Sequence, residues 1–141
     1  LNKNRNKIVL PLDFISVKDT SDDKNTIISY HNNIGNDDIT VDIGPETISL
    51  FKHIISEADC VIWNGPMGII EKENFSLGTK EMINSIKAVT ADGATSIIGG
   101  GDTSSIIDYS DFDKFSHIST GGGASLKLLS GEKMPAFDAL K

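Results

Sequence analysis

The chain has 141 residues, a net charge of −7 and 38% hydrophobic residues. This length fits about one domain, and the acidic balance argues against nucleic-acid binding, which needs a basic face. One cysteine, Cys60, excludes an intrachain disulfide and suits a reducing compartment, and no apolar run approaches the roughly 20 residues that cross a bilayer.

A cytoplasmic chain without membrane contacts is therefore expected. It shows no signal-peptide pattern, and its polar opening, "LNKNRNK", lacks an initiator Met and reads as an edge inside a domain. Net acidity leaves phosphate binding open, because backbone N–H groups and bound metal ions need no net positive charge.

In chain order, "KIVLPLDFISV" (7–17) reads as a strand, "TSDDKN" (20–25) as a turn and "TIISY" (26–30) as a second strand, so the first two strands form a hairpin. "HNNIGNDD" (31–38) is a loop and "ITVDIG" (39–44) a short extended run. "PETISLFKHIISEAD" (45–59) predicts a helix with Pro45 at its first position and Ile48, Phe51, Ile54 and Ile55 on the inner face. "CVIW" (60–63) reads as a buried strand, with Trp63 and Cys60 in the core.

A helix over 76–93 buries Met82, Ile83 and Ile86 and stops at Gly93. A strand over 94–99, a helix over 102–110, a strand over 115–119 and a helix over 123–131 follow, and "EKMPAFDALK" is a tail. From residue 45 helices and strands alternate, which predicts a parallel sheet with crossover helices. The expected fold class is α/β: a three-layer, Rossmann-like parallel sheet with flanking helices, forming a partial domain, plus an N-terminal β-hairpin-like segment. Ligands of such sheets sit beyond the carboxyl ends of the strands. Three of the strands end in glycine-rich turns, so those turns should line one edge.

"GGGDT" (99–103) and "STGGGAS" (119–125) join strand to helix. A glycine tract lets a ligand approach the backbone, and a helix start offers unpaired N–H groups with the positive end of its dipole. That combination binds phosphate. Asp102 could hold Mg²⁺, which favours oxygen ligands and substrate phosphates; equally, Asp102 or Thr103 could cap the helix and the glycines form a tight turn. Neither tract has the G-K-[ST] or G-x-G-x-x-G pattern. In "VIWNGPMGIIEKENF" (61–75), the Asn64 amide can donate to an anionic oxygen, Gly65–Pro66 sets a turn, and Glu71 is either a ribose contact or a solvated loop acid. His117 reads as structural, and His31 and His53 lie in no motif.

Taken together, "LPLDF", "DIGPET", "WNGPMG", "GGGDT" and "SHISTGGGASL" resemble, in order and spacing, the later part of the nucleotide-binding domain of the phosphoglycerate kinases. The similarity runs from about Lys7 to Leu140. It implies a glycolytic phosphotransferase that moves a phosphoryl group between 1,3-bisphosphoglycerate and Mg-ADP, giving 3-phosphoglycerate and ATP. It implies Mg²⁺ at Asp102 and Thr103 beside the nucleotide phosphates. Gly100, Gly101, Gly122 and Gly123 would act on the transferring phosphoryl, with Gly121 in the same turn. Asn64 would contact nucleotide phosphate, and Gly65, Pro66, Met67 and Ile70 would shape the pocket. Glu71 would bind the ribose, Thr40 and Val41 would lie along the adenine, and Thr120 would sit near the interdomain hinge.

The sequence departs from the family at Thr40, where a small residue is common, and in "GIIEKENF", which lacks the aromatic residues often found around Glu71. The resemblance places residues 1–141 as a fragment of the C-terminal nucleotide-binding domain, without the N-terminal domain that binds phosphoglycerate. The parent enzyme is expected to be monomeric and the fragment inactive, with self-association as a way to cover its open sheet edges. The alternative is a non-catalytic α/β module that binds a phosphate ligand or a partner.

Overall fold

The computed structural model describes residues 7–21, 25–30 and 33–140. They form two compact units, one drawn from residues 7–54 and 67–82 and the other from residues 55–66 and 83–140. His31 lies outside the described residues.

The first unit carries an antiparallel sheet of β1 (Asp13–Val17), β2 (Ile27–Tyr30) and β3 (Ile39–Ile43) in the order β2-β1-β3. The expected hairpin is present, with Phe14 opposite Ser29, and β3 pairs on the other side of β1, with a register shift between Ile15 and Ser16. β1 is shorter than the predicted strand over 7–17. Pro11 has no N–H to give a ladder, and the Leu12 N–H donates to Thr47 Oγ1 (2.9 Å) instead. Val17, Val41 and Phe75 form a buried cluster, with Ile15 and Ile69 packed against it; full burial of such a side chain contributes about 2 kcal/mol.

Helix α1 (Pro45–Ser56) starts at the predicted proline. Its cap is Asp13, a fully buried acid on β1: Oδ1 accepts the Thr47 N–H (2.8 Å) and Oδ2 the Glu46 N–H (3.1 Å). The expected inner face of α1 is only partly covered. Thr47 is its buried residue, and Ile54 is exposed. Helical periodicity marks the apolar stripe but not whether another layer lies over it.

Helix α2 (Leu77–Ala91) begins in the same way, from a strand acid. Buried Asp42 on β3 accepts N–H groups from Leu77, from Gly78 (2.8 Å) and from its neighbour Ile43 (2.8 Å). Burial raises the Asp42 carboxyl above its ordinary pKa, and the three N–H donors oppose that rise. Gly93 ends this helical stretch as predicted: its φ is +107°, and the N–H groups of Gly93 and Ala94 return to the carbonyls of Thr90 and Val89.

The second unit carries a parallel sheet of β4 (Cys60–Asn64), β5 (Thr95–Gly99) and β6 (His117–Ser119), ordered β4-β5-β6. The predicted alternation of helix and parallel strand is what the chain forms. β4 is not a buried strand, however. Among the described residues it pairs on one side only; Cys60 and Ile62 are exposed, and Trp63 is its buried residue. Ile86, Ile98, Ile107 and Phe115 are buried in this unit.

The predicted helix over 102–110 is α3 (Gly101–Ser105), followed by a 3₁₀ stretch over Tyr109–Lys114. Ser104 and Ser105 donate their hydroxyls to the carbonyls of Gly101 and Asp102, a local alternative that disfavours a longer helix. α4 (Gly122–Leu129) follows β6, and the predicted tail contains a short helix, α5 (Pro135–Asp138). Among the described residues no helix is long and apolar enough to cross a membrane.

Candidate functional site

The three parallel strands end flush. Asn64 at the end of β4 is in register with Gly99 at the end of β5, and Gly99 with Ser119 at the end of β6. The three turns that follow line a cleft of about 340 Å³ formed by Asn64, Gly65, Pro66, Gly100, Gly101, Asp102, Thr103, Thr120, Gly122 and Gly123. Every residue of that cleft belongs to the second unit. The sequence placed these turns along one edge, and the register brings them there.

Backbone contacts fix the turns. The Gly100 N–H donates to the Ser119 carbonyl (3.0 Å), which ties the β5–α3 turn to β6. The Gly65 N–H donates to Thr103 Oγ1 (2.9 Å), which ties the β4 turn to α3. The Gly121 N–H donates to Ser119 Oγ (3.2 Å), and the hydroxyls of Ser119 and Ser125 lie 3.0 Å apart. Neither Asp102 nor Thr103 caps α3. Gly100 holds the cap position at φ +101°, a conformation that favours glycine. Thr103 is fully buried, and its hydroxyl is already engaged with Gly65. Gly121, not a Ser or Thr, holds the cap position of α4.

The glycines divide into two kinds. A Cβ on Gly122 would strike Asn64 Oδ1 (2.6 Å) and the Gly100 backbone (2.7 Å), so packing demands glycine there. A Cβ on Gly101 or Gly123 would meet nothing within 4 Å. Both of these open positions line the cleft and lie in the first turn of a helix, where backbone N–H groups have no partner within the helix.

Asp102 is exposed at the cleft, in the first turn of α3. Among the described residues no three His, Cys, Asp or Glu side chains cluster as a metal site. A lone carboxylate fits Mg²⁺ that arrives with phosphate, since that ion takes one or two carboxylates and completes its shell with phosphate oxygens and water.

The other predicted site residues lie in the first unit. Thr40 is exposed on β3 and pairs with Ser16, whereas Val41 is buried in the core cluster. Buried Val41 leaves its side chain no open face in this unit, and its carbonyl accepts the Ile69 N–H (3.0 Å). Met67 and Ile70 are half-buried, and Glu71 is exposed. The fully buried Thr79 hydroxyl accepts the Met67 N–H (2.9 Å). This brace was not legible from spacing, and neither were the two strand acids, Asp13 and Asp42, that start helices.

A family model for phosphoglycerate kinase matches residues 1–132. The phosphoglycerate kinase of Schistosoma mansoni is 46% identical over 135 residues, which cover 94% of this chain and 32% of the relative. That of Corynebacterium diphtheriae is 42% identical over 137 residues, covering 96% and 34%. The solved phosphoglycerate kinase structure from Coxiella burnetii superimposes with a TM-score of 0.84 at 30% identity, over 99% of this chain and 36% of that one. The structure from Pyrococcus horikoshii gives a TM-score of 0.77 at 30% identity. The chain thus spans about a third of the length of the relatives it matches.

Proposed function

The chain belongs to the phosphoglycerate kinase family, and from that premise we propose that the cleft at the ends of β4, β5 and β6 receives the phosphates of Mg-ADP or Mg-ATP. The observation that carries this reading is the convergence of three turns on one cleft, where Gly101 and Gly123 leave the backbone open and no packing contact accounts for their lack of a side chain. Phosphoryl transfer depends on positioning and on neutralising equatorial oxygen charge. Preorganised N–H groups suit that task because they need no reorganisation as charge moves.

In this reading the first-turn N–H groups of α3 and α4 face the phosphoryl oxygens, and Asn64 contacts phosphate from the β4 side. Asp102 holds Mg²⁺, which neutralises phosphate charge. Thr103 positions the β4 turn by accepting the Gly65 N–H, and its hydroxyl keeps its own proton to donate to a nucleotide phosphate. The adenosine-side roles of Thr40, Val41, Met67, Ile70 and Glu71 rest on the family resemblance, and the phosphate reading does not depend on them.

The whole enzyme would exchange a phosphoryl group between 1,3-bisphosphoglycerate and ADP in the cytoplasm, as a glycolytic transferase. Residues 1–141 would form part of its nucleotide-binding domain. The family resemblance puts the phosphoglycerate site on another domain, so the isolated chain should show no turnover in a coupled assay. Soaking crystals with Mg-ADP tests the site. Phosphates seated within residues 99–103 and 119–123 support the reading, and phosphates bound elsewhere overturn it.

A further inference from the structure

Asn64–Gly65 is the chain's single Asn-Gly step, the sequence in which an Asn side chain is most easily attacked by the next backbone nitrogen. The structure gives this step a particular setting. Asn64 is exposed at the cleft. Gly65 has φ +101°, and nothing lies within 4 Å of where its Cβ would be, so the residue after Asn64 adds no steric bulk of its own. The attacking nitrogen itself is not free: its N–H donates to Thr103 Oγ1 at 2.9 Å, and Thr103 is fully buried.

We propose that Asn64–Gly65 is a deamidation site, kept slow in the folded chain by the Thr103 hydroxyl. The reaction begins when base removes the Gly65 amide proton. The nitrogen attacks Asn64 Cγ, the Cγ–Nδ2 bond breaks and ammonia leaves, which closes a succinimide ring. Water then opens either imide carbonyl, giving aspartate or isoaspartate, so one water is consumed and one ammonia released. Thr103 Oγ1 covers the proton that must be lost first. The ladder pairing of Asn64 with Gly99 holds the residue extended, away from ring closure. Local opening of the turn removes both restraints together. Either product puts a carboxylate into the cleft, and isoaspartate also adds a methylene to the main chain between Trp63 and Gly65. This chemistry does not depend on what the cleft binds.

The test follows the peptide containing Asn64 by mass spectrometry, with isoaspartate detected by enzymatic methylation, at mildly alkaline pH. Thr103→Val keeps the shape and removes the acceptor; Thr103→Ser retains it. The expected result is deamidation about fivefold faster in Thr103→Val than in the wild type, the factor supported by loss of one net hydrogen bond, with Thr103→Ser close to wild type. Equal rates in folded wild type and folded Thr103→Val overturn the proposal. A comparison within the wild type avoids dependence on the folding of the valine variant. Asn64 should deamidate at least about fivefold faster in urea, where this hydrogen bond is absent, than in buffer. Equal rates in the two solvents likewise overturn it.

Discussion

A Cβ placed on Gly122 would lie 2.7 Å from the Cα of Gly100, so the β5–α3 and β6–α4 turns meet backbone to backbone. The Gly100 N–H bond to the Ser119 carbonyl holds the same junction from the strand side. Gly122→Ala should therefore destabilise the chain by about 2 kcal/mol, because backbone cannot move aside as the end of a side chain can. Urea unfolding measures this. A midpoint equal to wild type would mean that the turns separate at little cost.

Asp13 and Thr47 make a second long-range pair, 34 positions apart. Asp13→Ala would leave the buried Thr47 N–H without its acceptor and the Glu46 N–H uncapped, and should cost about 2 kcal/mol. The Asp13→Asn variant keeps one acceptor oxygen and should cost less. Thermal unfolding ranks the two variants, and the reverse order would contradict the capping role.

Asp42 and Asp111 should give pH dependences of opposite sign. Burial raises Asp42 above the ordinary carboxylate range, so the folded chain holds this proton more tightly than the unfolded chain does. Its contribution is fully present below the ordinary carboxyl pKa and is lost as pH rises through the raised value. Asp111 is lowered by hydrogen bonds from Lys114 and Lys87, each at 2.5 Å. Its contribution is present above the ordinary value and is lost as pH falls through the lowered one. Urea midpoints across the acid range should show Asp42→Asn and Asp111→Asn changing the slope in opposite directions, and slopes that shift the same way would contradict this.

Asn64→Asp should weaken Mg-ADP binding, because it places a negative charge where the proposal puts phosphate oxygens. Coulomb repulsion in a partly exposed site supports about tenfold. Calorimetry at low and high salt checks this, and the deficit should shrink as salt screens it. Equal affinity for the two proteins would remove Asn64 from the phosphate contacts.

The sequence showed the alternation after residue 45 and the three glycine turns because both depend on local signals: period, β-branched runs, Pro45 and Gly93. It was silent where one part of the chain completes another. Asp13 and Asp42 read as ordinary strand acids, yet each starts a helix distant in sequence. Thr103 read as a possible helix cap and Thr79 as an unremarked helix residue, yet their hydroxyls accept turn N–H groups. Burial was also misread at Cys60, because the composition of a strand does not say whether it has a neighbour on both sides. The difference between Gly122 and Gly123 likewise arises only in the fold, since one faces backbone and the other open space.

The most direct test is titration of Mg-ADP into the wild-type chain and into Gly123→Ala. Alanine at this helical position meets no neighbour and is favoured over glycine by roughly 0.5–1 kcal/mol, so the fold should be unchanged or slightly firmer. Binding by the wild type is expected, with at least about tenfold weaker binding by the variant, the equivalent of one lost contact to a charged oxygen. Equal affinity in two equally stable proteins, or a folded wild-type chain that takes up no Mg-ADP, would contradict it.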